Sequence, residues 1–220
     1  FPHDKDYYAL KILFKKNEKR SFLDVGGNIG LSTIGFRELG FIKNKIHIFE
    51  PDKNLIKLYF GKIKKRYKNL KVHPFGLSNK NSTEYLYKAY YKGEYFHFNN
   101  SFDKKYIKDK LAHNYGEKSK NFLLKSTRLN LKKFDYLNIK DEICFIKIDV
   151  EGLDHLALFG MKSCIQKYLP VILVEYNFSN FSKIHNFLKK NYNCFFYDFK
   201  KNMLVKLSLH QILKMKNGKI

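Results

Sequence analysis

The feature that most constrains this chain is the alternation of short apolar segments with segments whose apolar residues recur at helical spacing. The apolar segments are 21–25 (SFLDV), 45–50 (KIHIFE), 143–152 (ICFIKIDVEG) and 170–177 (PVILVEYN). A nearly continuous apolar run is typical of a strand buried on both faces of a parallel sheet. Strands that alternate with helices build a parallel sheet covered by helices on both faces. The sequence therefore predicts an open α/β fold.

The other elements follow from the same periodicity. Residues 69–78 (NLKVHPFGLS) predict a third strand, and 193–207 predict an antiparallel hairpin at the edge of the sheet, with a turn at 200–202. Helices are predicted at 29–40, 51–67, 152–168 and 180–192, with a short N-terminal helical segment at about 5–19.

About 60 residues between the third and fourth strands lack this βα pattern. Residues 83–91 (TEYLYKAYY) and 94–98 (EYFHF) flank Lys92 and Gly93, which predicts a hairpin, whereas 101–122 is charged and broken. A long irregular segment inside a domain typically forms a lid or a substrate platform. We predict one domain over residues 1–220, with this insertion at about 80–140.

The insertion is rich in aromatic residues. These side chains could stack on sugar rings or bases, but alternating aromatics are the usual signature of a strand, so we favour the core of a hairpin. They are Tyr85, Tyr87, Tyr90, Tyr91, Tyr95, Phe96 and Phe98.

A glycine-rich turn follows the first strand, in residues 22–30 (FLDVGGNIG). A dinucleotide fingerprint would need glycine two residues after Gly26, where this chain has Asn28. Asp24 would repel a pyrophosphate but suits a ligand that carries ammonium and sulfonium charges. Glu50 closes the second strand, where an acid can accept hydrogen bonds from ribose hydroxyls. The pattern indicates a positively charged nucleoside without a diphosphate, and S-adenosylmethionine fits that description.

These residues resemble the FkbM-type family of S-adenosylmethionine-dependent methyltransferases, over residues 21–177. The motifs that carry the resemblance are "FLDVGGNIG", "IFEPD", "VHPFGLSNKN", "NNSF", "FIKIDVEG" and "ALFGMKSCIQKYLPVILVEYN". The resemblance implies a Rossmann-like class I methyltransferase fold, with a seven-stranded, mostly parallel sheet whose last strand is antiparallel. It also implies O-methylation, most often of sugars or other small metabolites.

The resemblance also implies the contacts of the cofactor. The matching residues are Asp24, Gly26, Asn28 and Gly30 in the turn, Glu50 and Pro51 at the ribose, Gly76, Leu77 and Ser78 at the adenine, and Ser101 and Asp149 facing the cofactor. Asp24 is expected to serve the methionine end, directly or through water. Asn79 stands where the family commonly has an acid, which weakens the expected contact with the adenine amino group.

Methyl transfer to a sugar hydroxyl benefits from a general base, because the hydroxyl is a poor nucleophile. Asp149, at the end of the fourth strand, is the first candidate, followed by Glu151 and Glu175, and Lys147 could tune Asp149 electrostatically. Each has an alternative: Glu151 as a first-turn acid that complements a helix dipole, Glu175 as a strand-end acid paired with a lysine, and Lys147 as a structural residue.

No metal site is predicted. The eight histidines show no ligand spacing, although His155 is an alternative base. Asp149, Glu151 and Asp154 do not supply the several converging oxygens that a hard cation needs. The three cysteines, Cys144, Cys164 and Cys194, are far apart in apolar stretches, which favours reduced thiols over a disulfide framework.

The net charge of +23 favours anionic partners, but only four of the 43 basic residues are arginine, the residue that best recognises phosphates. We attribute most of the charge to codon composition. The predicted acceptor is a small molecule or glycan, with nucleotide sugars and capsule-type saccharides as anionic candidates. The alternatives are an RNA methyltransferase, or a basic module with a decayed cofactor pocket that binds nucleic acid or a membrane surface.

The chain has no apolar run long enough to span a bilayer and no visible secretory signal, so we expect a cytoplasmic protein. It begins with Phe1 rather than methionine, which leaves room for a preceding segment.

Overall fold

The computed structural model describes residues 2, 4–15, 17–150, 152–175, 178–208 and 211, without the side chains of 97–99, 178 and 179. The strands are β1 (Ser21–Val25), β2 (Ile46–Phe49), β3 (Leu70–His73), β4 (Gly76–Leu77), β5 (Ser82–Tyr91), β6 (Glu94–Ser101), β7 (Phe122–Lys132), β8 (Ile143–Ile148), β9 (Val171–Val174), β10 (Phe195–Asp198) and β11 (Met203–Lys206). The helices are α1 (Leu10–Leu13), α2 (Leu31–Glu38), α3 (Lys53–Leu55), α4 (Gly61–Arg66), α5 (Lys104–Tyr115), α6 (Asp154–Phe159), α7 (Lys162–Tyr168) and α8 (Phe178–Leu188).

A five-stranded parallel sheet forms the centre of the fold, in the order β3-β2-β1-β8-β9. The chain runs outward from β1 to β3 and later returns on the other side of β1 with β8. The strand order therefore reverses between β1 and β8, where Asp24 pairs in register with Lys147. Open α/β sheets bind their ligands at the carboxyl ends of the strands at such a point.

Alternate residues of the central strands face two separate hydrophobic cores. Leu23 and Ile146 pack with residues of α6, α7 and α8, whereas Phe22 and Phe145 pack with residues of α2 and the 53–66 helical segment. This arrangement confirms the predicted α/β fold with helices on both faces of the sheet. In the part of the chain that the structure describes, no helix is both long and apolar enough to cross a membrane.

The prediction of one seven-stranded sheet is wrong in its details. In the described residues, β10 and β11 pair antiparallel with each other and form a two-stranded sheet separate from the parallel one. The predicted third strand is also divided, because Pro74 follows β3 and has no N–H to continue the ladder. After Pro74 the chain turns, and β4 pairs with β7 instead.

The inserted segment forms a second sheet, in the order β4-β7-β5-β6. Strands β5 and β6 form a hairpin across Lys92 and Gly93, and the 11-residue β7 pairs with β5 along its length. The stretch that the sequence indicated as broken contains the 12-residue helix α5. Asp103 caps this helix by accepting hydrogen bonds from the amides of Lys105 at 2.7 Å and Tyr106 at 3.1 Å.

Two of the predicted helices are interrupted. The helix predicted at 51–67 has a π-helical turn at Ile56–Phe60 between α3 and α4. The helix predicted at 152–168 breaks into α6 and α7 at Gly160, where a Cβ atom would lie 2.1 Å from the Ser78 carbonyl oxygen. The break therefore lets the chain pack against the loop that follows β4.

Two histidines lie side by side on β2 and β3. His47 Nδ1 is 3.0 Å from His73 Nε2, and His47 Nε2 is 3.0 Å from Asp141 Oδ2. Burial, followed by the charges of His47 and Lys71, lowers the pKa of His73 to about 4. Burial also lowers the pKa of His47 against the opposing effect of Asp141. Both rings are therefore neutral in the folded protein at pH 7.

This pair predicts a loss of stability in acid. Because the pKa of each ring is lower in the folded than in the unfolded chain, its stabilisation is present above pH 6.5 and is lost as the pH falls toward the folded-state value. We expect His73 to account for about 1 kcal/mol of the fall in unfolding free energy between pH 7 and pH 5, after allowance for its partial exposure. Urea unfolding of His73→Gln should show a smaller fall. The exposed His113→Gln should behave as the wild type, and equal falls in all three proteins would contradict the assignment.

Candidate active site

The glycine-rich turn packs directly on the end of β8. The amides of Gly26 and Gly27 donate to the carbonyl of Phe49, at 3.0 and 3.1 Å, so the turn closes over the end of β2. Gly26 has a φ of +83°, and a Cβ atom there would lie 2.0 Å from the Asp149 carbonyl oxygen. Only glycine fits this position, and the turn and the end of β8 form one unit.

Glu50 lies buried beneath this turn, with 5% of its surface exposed. Its Oε2 accepts the amide of Asn28 and its Oε1 accepts the amide of Asp52, both at 2.7 Å. The pKa of Glu50 is raised to about 7, because burial and the nearby charge of Asp52 together outweigh the opposing effects of the two amides and Lys147. Glu50 therefore titrates close to neutral pH.

Asp24 is fully buried, and its carboxylate is bound within the protein. Its Oδ2 accepts the hydroxyls of Ser32 at 2.6 Å and Thr33 at 2.7 Å, and its Oδ1 lies 3.6 Å from Lys147 Nζ. These contacts fasten the first turn of α2 to the end of β1. The geometry favours an indirect role for Asp24 over the direct contact with the cofactor that the sequence allowed.

Lys147 lies between two carboxylates below the turn. Its Nζ donates to the carbonyl of Gly26 at 3.0 Å and lies 3.5 Å from Asp149 Oδ2, and its side chain is 7% exposed. Burial acts to lower the pKa of Lys147, but Asp24 and Asp149 outweigh this effect and raise the pKa above its ordinary value. Lys147 therefore stays cationic and holds one side of the Asp149 carboxylate.

Asp149 stands at the point where the strand order reverses. Its amide donates to the Val25 carbonyl at 3.1 Å, which fixes the backbone, while 47% of its side chain is exposed. Glu175 follows the end of β9 and is exposed. Although the side chain reaches solvent, the surrounding protein removes part of its hydration, and this desolvation, followed by the charge of Asp149, raises the pKa of Glu175, while Lys110 on α5 opposes the rise. The candidate base Glu151 lies outside the described residues.

The loop predicted to frame adenine lies against Pro51, the residue after Glu50. A Cβ atom on Gly76 would be 2.6 Å from Leu131 Cδ2 and 3.5 Å from Pro51 Cγ, so Gly76 and Pro51 are in contact range. Leu77 packs in the core, and Ser78 is 4% exposed. Their contact with adenine stays a prediction.

Ser101 is 2% exposed, and its Oγ accepts the amide of Asp103 at 3.0 Å at the start of α5. Its predicted contact with the cofactor is not tested by this geometry. His155, the alternative base, is buried against Phe159 with ring centroids 5.8 Å apart, and burial lowers its pKa.

Residues 152–175 and the other described segments contain no group of three or more His, Cys, Asp or Glu side chains that could hold a metal ion. Asp154, considered above as a ligand, accepts the amide of Val150 at 3.0 Å and so caps the loop after β8.

Several residues of the site were not predicted from the sequence. Ser32 and Thr33 could have been predicted, because hydroxyls in the first turn of α2 can reach back to Asp24 near the end of β1. Tyr7 is buried against Phe36, at 5.0 Å between ring centroids, and burial followed by the charge of Asp24 raises its pKa. Neither Tyr7 nor Lys88, described below, is marked by a local pattern.

Comparison with known proteins identifies the family of the chain. A family model described as the methyltransferase FkbM domain matches residues 24–195, which is more than half of the chain. No curated protein matches the chain. The crystal structure of methyltransferase FkbM from Methylobacillus flagellatus KT is similar in fold, with a TM-score of 0.58 and 16% sequence identity. The match covers 90% of this chain but 46% of that one, so the chain spans less than half of that structure's length. The family-model match shows that the chain belongs to the FkbM methyltransferase domain family.

Proposed function

We propose that the chain is an S-adenosylmethionine-dependent O-methyltransferase that acts on a hydroxyl of a sugar or a related small molecule. The observation that carries the proposal is the position of Glu50. It lies at the end of β2 beneath the glycine turn, beside the reversal of strand order, where its carboxylate meets the amides of Asn28 and Asp52. An acid at this place is the usual partner of ribose hydroxyls in Rossmann-like sites.

The charges at the strand ends favour a cationic nucleoside over a nucleotide diphosphate. Asp149 and Glu50 are acids, and the cation beside them, Lys147, is already engaged with Gly26, Asp24 and Asp149. A diphosphate would face these carboxylates without a dedicated counterion, whereas a sulfonium and an ammonium group would be attracted to them. The donor set therefore fits S-adenosylmethionine.

When bound, the cofactor supplies a methyl group activated by the sulfonium. The chain's residues position the reactants and accept a proton. Glu50 holds the ribose, and the glycine turn brings backbone groups close to the cofactor. Asp149 orients the acceptor hydroxyl and takes its proton, while Lys147 keeps the Asp149 carboxylate in place.

The acceptor is proposed from the polar groups at the carboxyl ends of β8 and β9. Asp149 and Glu175 present carboxylates, which accept hydrogen bonds from hydroxyls. The aromatic insertion lends less support to sugar stacking, because Tyr87 and Phe96 pack with Ile107 and Leu111 of α5 in a small hydrophobic core. For Tyr87 and Phe96, that packing agrees with the interpretation of the aromatics as the core of a hairpin, whereas Tyr85 is 55% exposed and the side chain of Phe98 lies outside the described residues.

The cofactor assignment predicts that Glu50→Gln weakens cofactor binding by about 10–100-fold, because an amide cannot replace a carboxylate as acceptor for two hydroxyls. Calorimetric titration with S-adenosylmethionine and S-adenosylhomocysteine measures the change. Glu117→Gln makes the same chemical change at a side chain that is 87% exposed, and it should bind as the wild type does. A wild-type protein that binds neither compound would overturn the proposed function.

The acceptor requires a separate screen. Methyl-labelled cofactor is incubated with neutral saccharides, nucleotide sugars, capsule-type glycans and RNA, with and without a chelator. We expect label in a saccharide hydroxyl and no effect of the chelator. Label in RNA with a steep dependence on salt would favour the RNA methyltransferase instead.

A further inference from the structure

A buried ion pair joins the inserted sheet to residues 50–52, which follow β2 and which we call the ribose-binding turn because they include Glu50. Lys88 Nζ of β5 lies 2.5 Å from Asp52 Oδ2, and both side chains are 3% exposed. Asp52 follows Glu50 by two residues and caps α3 by accepting the amide of Asn54 at 2.9 Å. The pair therefore connects two parts of the chain that are far apart in sequence, immediately beside the acid that we assign to the ribose.

The position of Lys88 is set by an irregularity of the inserted sheet. Lys88 pairs with Asn100, but the next residue, Ala89, pairs with Phe96, so the register of β5 and β6 shifts between them. Such bulges re-aim side chains and occur often beside active sites. Here the bulge accompanies a buried lysine that reaches Asp52, at the start of α3.

Stability alone is a poor reason for this pair. Removing two charges from water is costly, and apolar residues of similar volume often stabilise a protein as well or better. Because this pair lies next to Glu50, its charges can influence whether the Glu50 carboxylate is ionised. The closeness is direct, since the Asp52 amide donates to Glu50 Oε1 at 2.7 Å.

The charged and titratable groups around Glu50 come from four elements. Asp52 precedes α3, Lys88 comes from β5, Tyr95 from β6 and Lys147 from β8. The ring of Tyr95 lies 5.4 Å from Lys88 Nζ, and burial, followed by the charges of Asp52 and Glu50, raises its pKa, so the phenol is neutral. Lys147 opposes protonation of Glu50, whereas Asp52 favours it. The ammonium of Lys88 is paired with Asp52, whose charge works against an ionised Glu50.

We propose that Lys88 is a positioning residue for the cofactor, which anchors the inserted sheet to the ribose-binding turn and cancels the charge of Asp52 beside Glu50. The inference rests on the proposed function and makes the insertion part of the cofactor site. Only the ionised Glu50 can accept hydrogen bonds from both ribose hydroxyls without donating one. Cofactor affinity therefore rises with pH through the titration of Glu50, and the midpoint of that rise depends on Lys88.

The test is a cycle of variants. The dissociation constant of S-adenosylhomocysteine is measured by calorimetry between about pH 5.5 and 8.5 for the wild type, Lys88→Met, Asp52→Asn and the double variant. We expect Lys88→Met to move the midpoint up by about one pH unit and Asp52→Asn to move it down by a similar amount. The double variant, which lacks both charges, should return close to the wild-type midpoint.

A purely structural anchor gives a different result. It would weaken binding in every variant and leave one common midpoint, which would overturn the proposal. Thermal unfolding monitors the fold, because removing one partner of a buried pair is strongly destabilising. If Lys88→Met does not fold, Asp52→Asn must still show a lower midpoint than the double variant, and equal midpoints would overturn the proposal. Absence of binding by the wild type at every pH would instead refute the proposed function.

Discussion

Asp149→Asn is expected to lower the rate of methyl transfer by about 10²–10⁴-fold, and to weaken cofactor binding far less. The substitution preserves the shape of the side chain and removes its ability to accept a proton. Asp149 is suited to this role because its backbone is fixed by Val25, its carboxylate is held on one side by Lys147, and about half of its side chain remains exposed. A base needs both a fixed position and access to its substrate.

Single-turnover kinetics with the best acceptor from the screen separate the methyl-transfer step from binding. Glu175→Gln, made in parallel, tests the second candidate base and should reduce the rate far less. If Asp149→Asn retains the wild-type rate while Glu175→Gln loses it, the role of base passes to Glu175. Retained rates in both variants would remove these acids from the proton transfer.

The two acids that define the proposed site were predictable because their positions follow from local sequence. Glu50 and Asp149 each come at the end of an apolar strand, and parallel strands place their carboxyl ends at one edge of a sheet. Asp24 satisfies the same rule, yet the structure engages its carboxylate in internal contacts with other side chains. Its burial depends on Ser32 and Thr33 turning back from α2, and on Lys147 arriving from β8, more than 120 residues away in sequence. Such partners are set by tertiary packing.

In the fold, too, the elements determined by local sequence were predictable, and those determined by tertiary packing were not. The buried strands of the parallel sheet were predicted because apolar runs such as the one at β8 have few alternatives. The second sheet was only partly predicted, since its hairpin has a clear Lys92–Gly93 turn but β7 is a half-exposed strand whose alternation is irregular. Lys88 is the residue whose position was least predictable from the sequence. Its burial requires both a shifted register and an acid from the start of α3, and neither leaves a mark on the local sequence.

The second large effect is expected from Gly26→Ala, which should lower the free energy of unfolding by more than about 3 kcal/mol and abolish cofactor binding. A Cβ atom at this position would lie 2.0 Å from the Asp149 carbonyl oxygen, and the φ of +83° is itself unfavourable for alanine. The clash is with backbone on a neighbouring strand, so relief requires β1 and β8 to separate.

Gly40→Ala separates the cost of the steric clash from the cost of the positive φ. Gly40 also has a positive φ, of +102°, but a Cβ atom there would meet nothing within 4 Å. It should therefore cost only the backbone strain, about 1–2 kcal/mol, and leave cofactor affinity unchanged. Urea unfolding and calorimetry of both variants measure the difference. Equal destabilisation would mean that the turn can move away from Asp149 at little cost, and that the proposed site does not depend on their close contact.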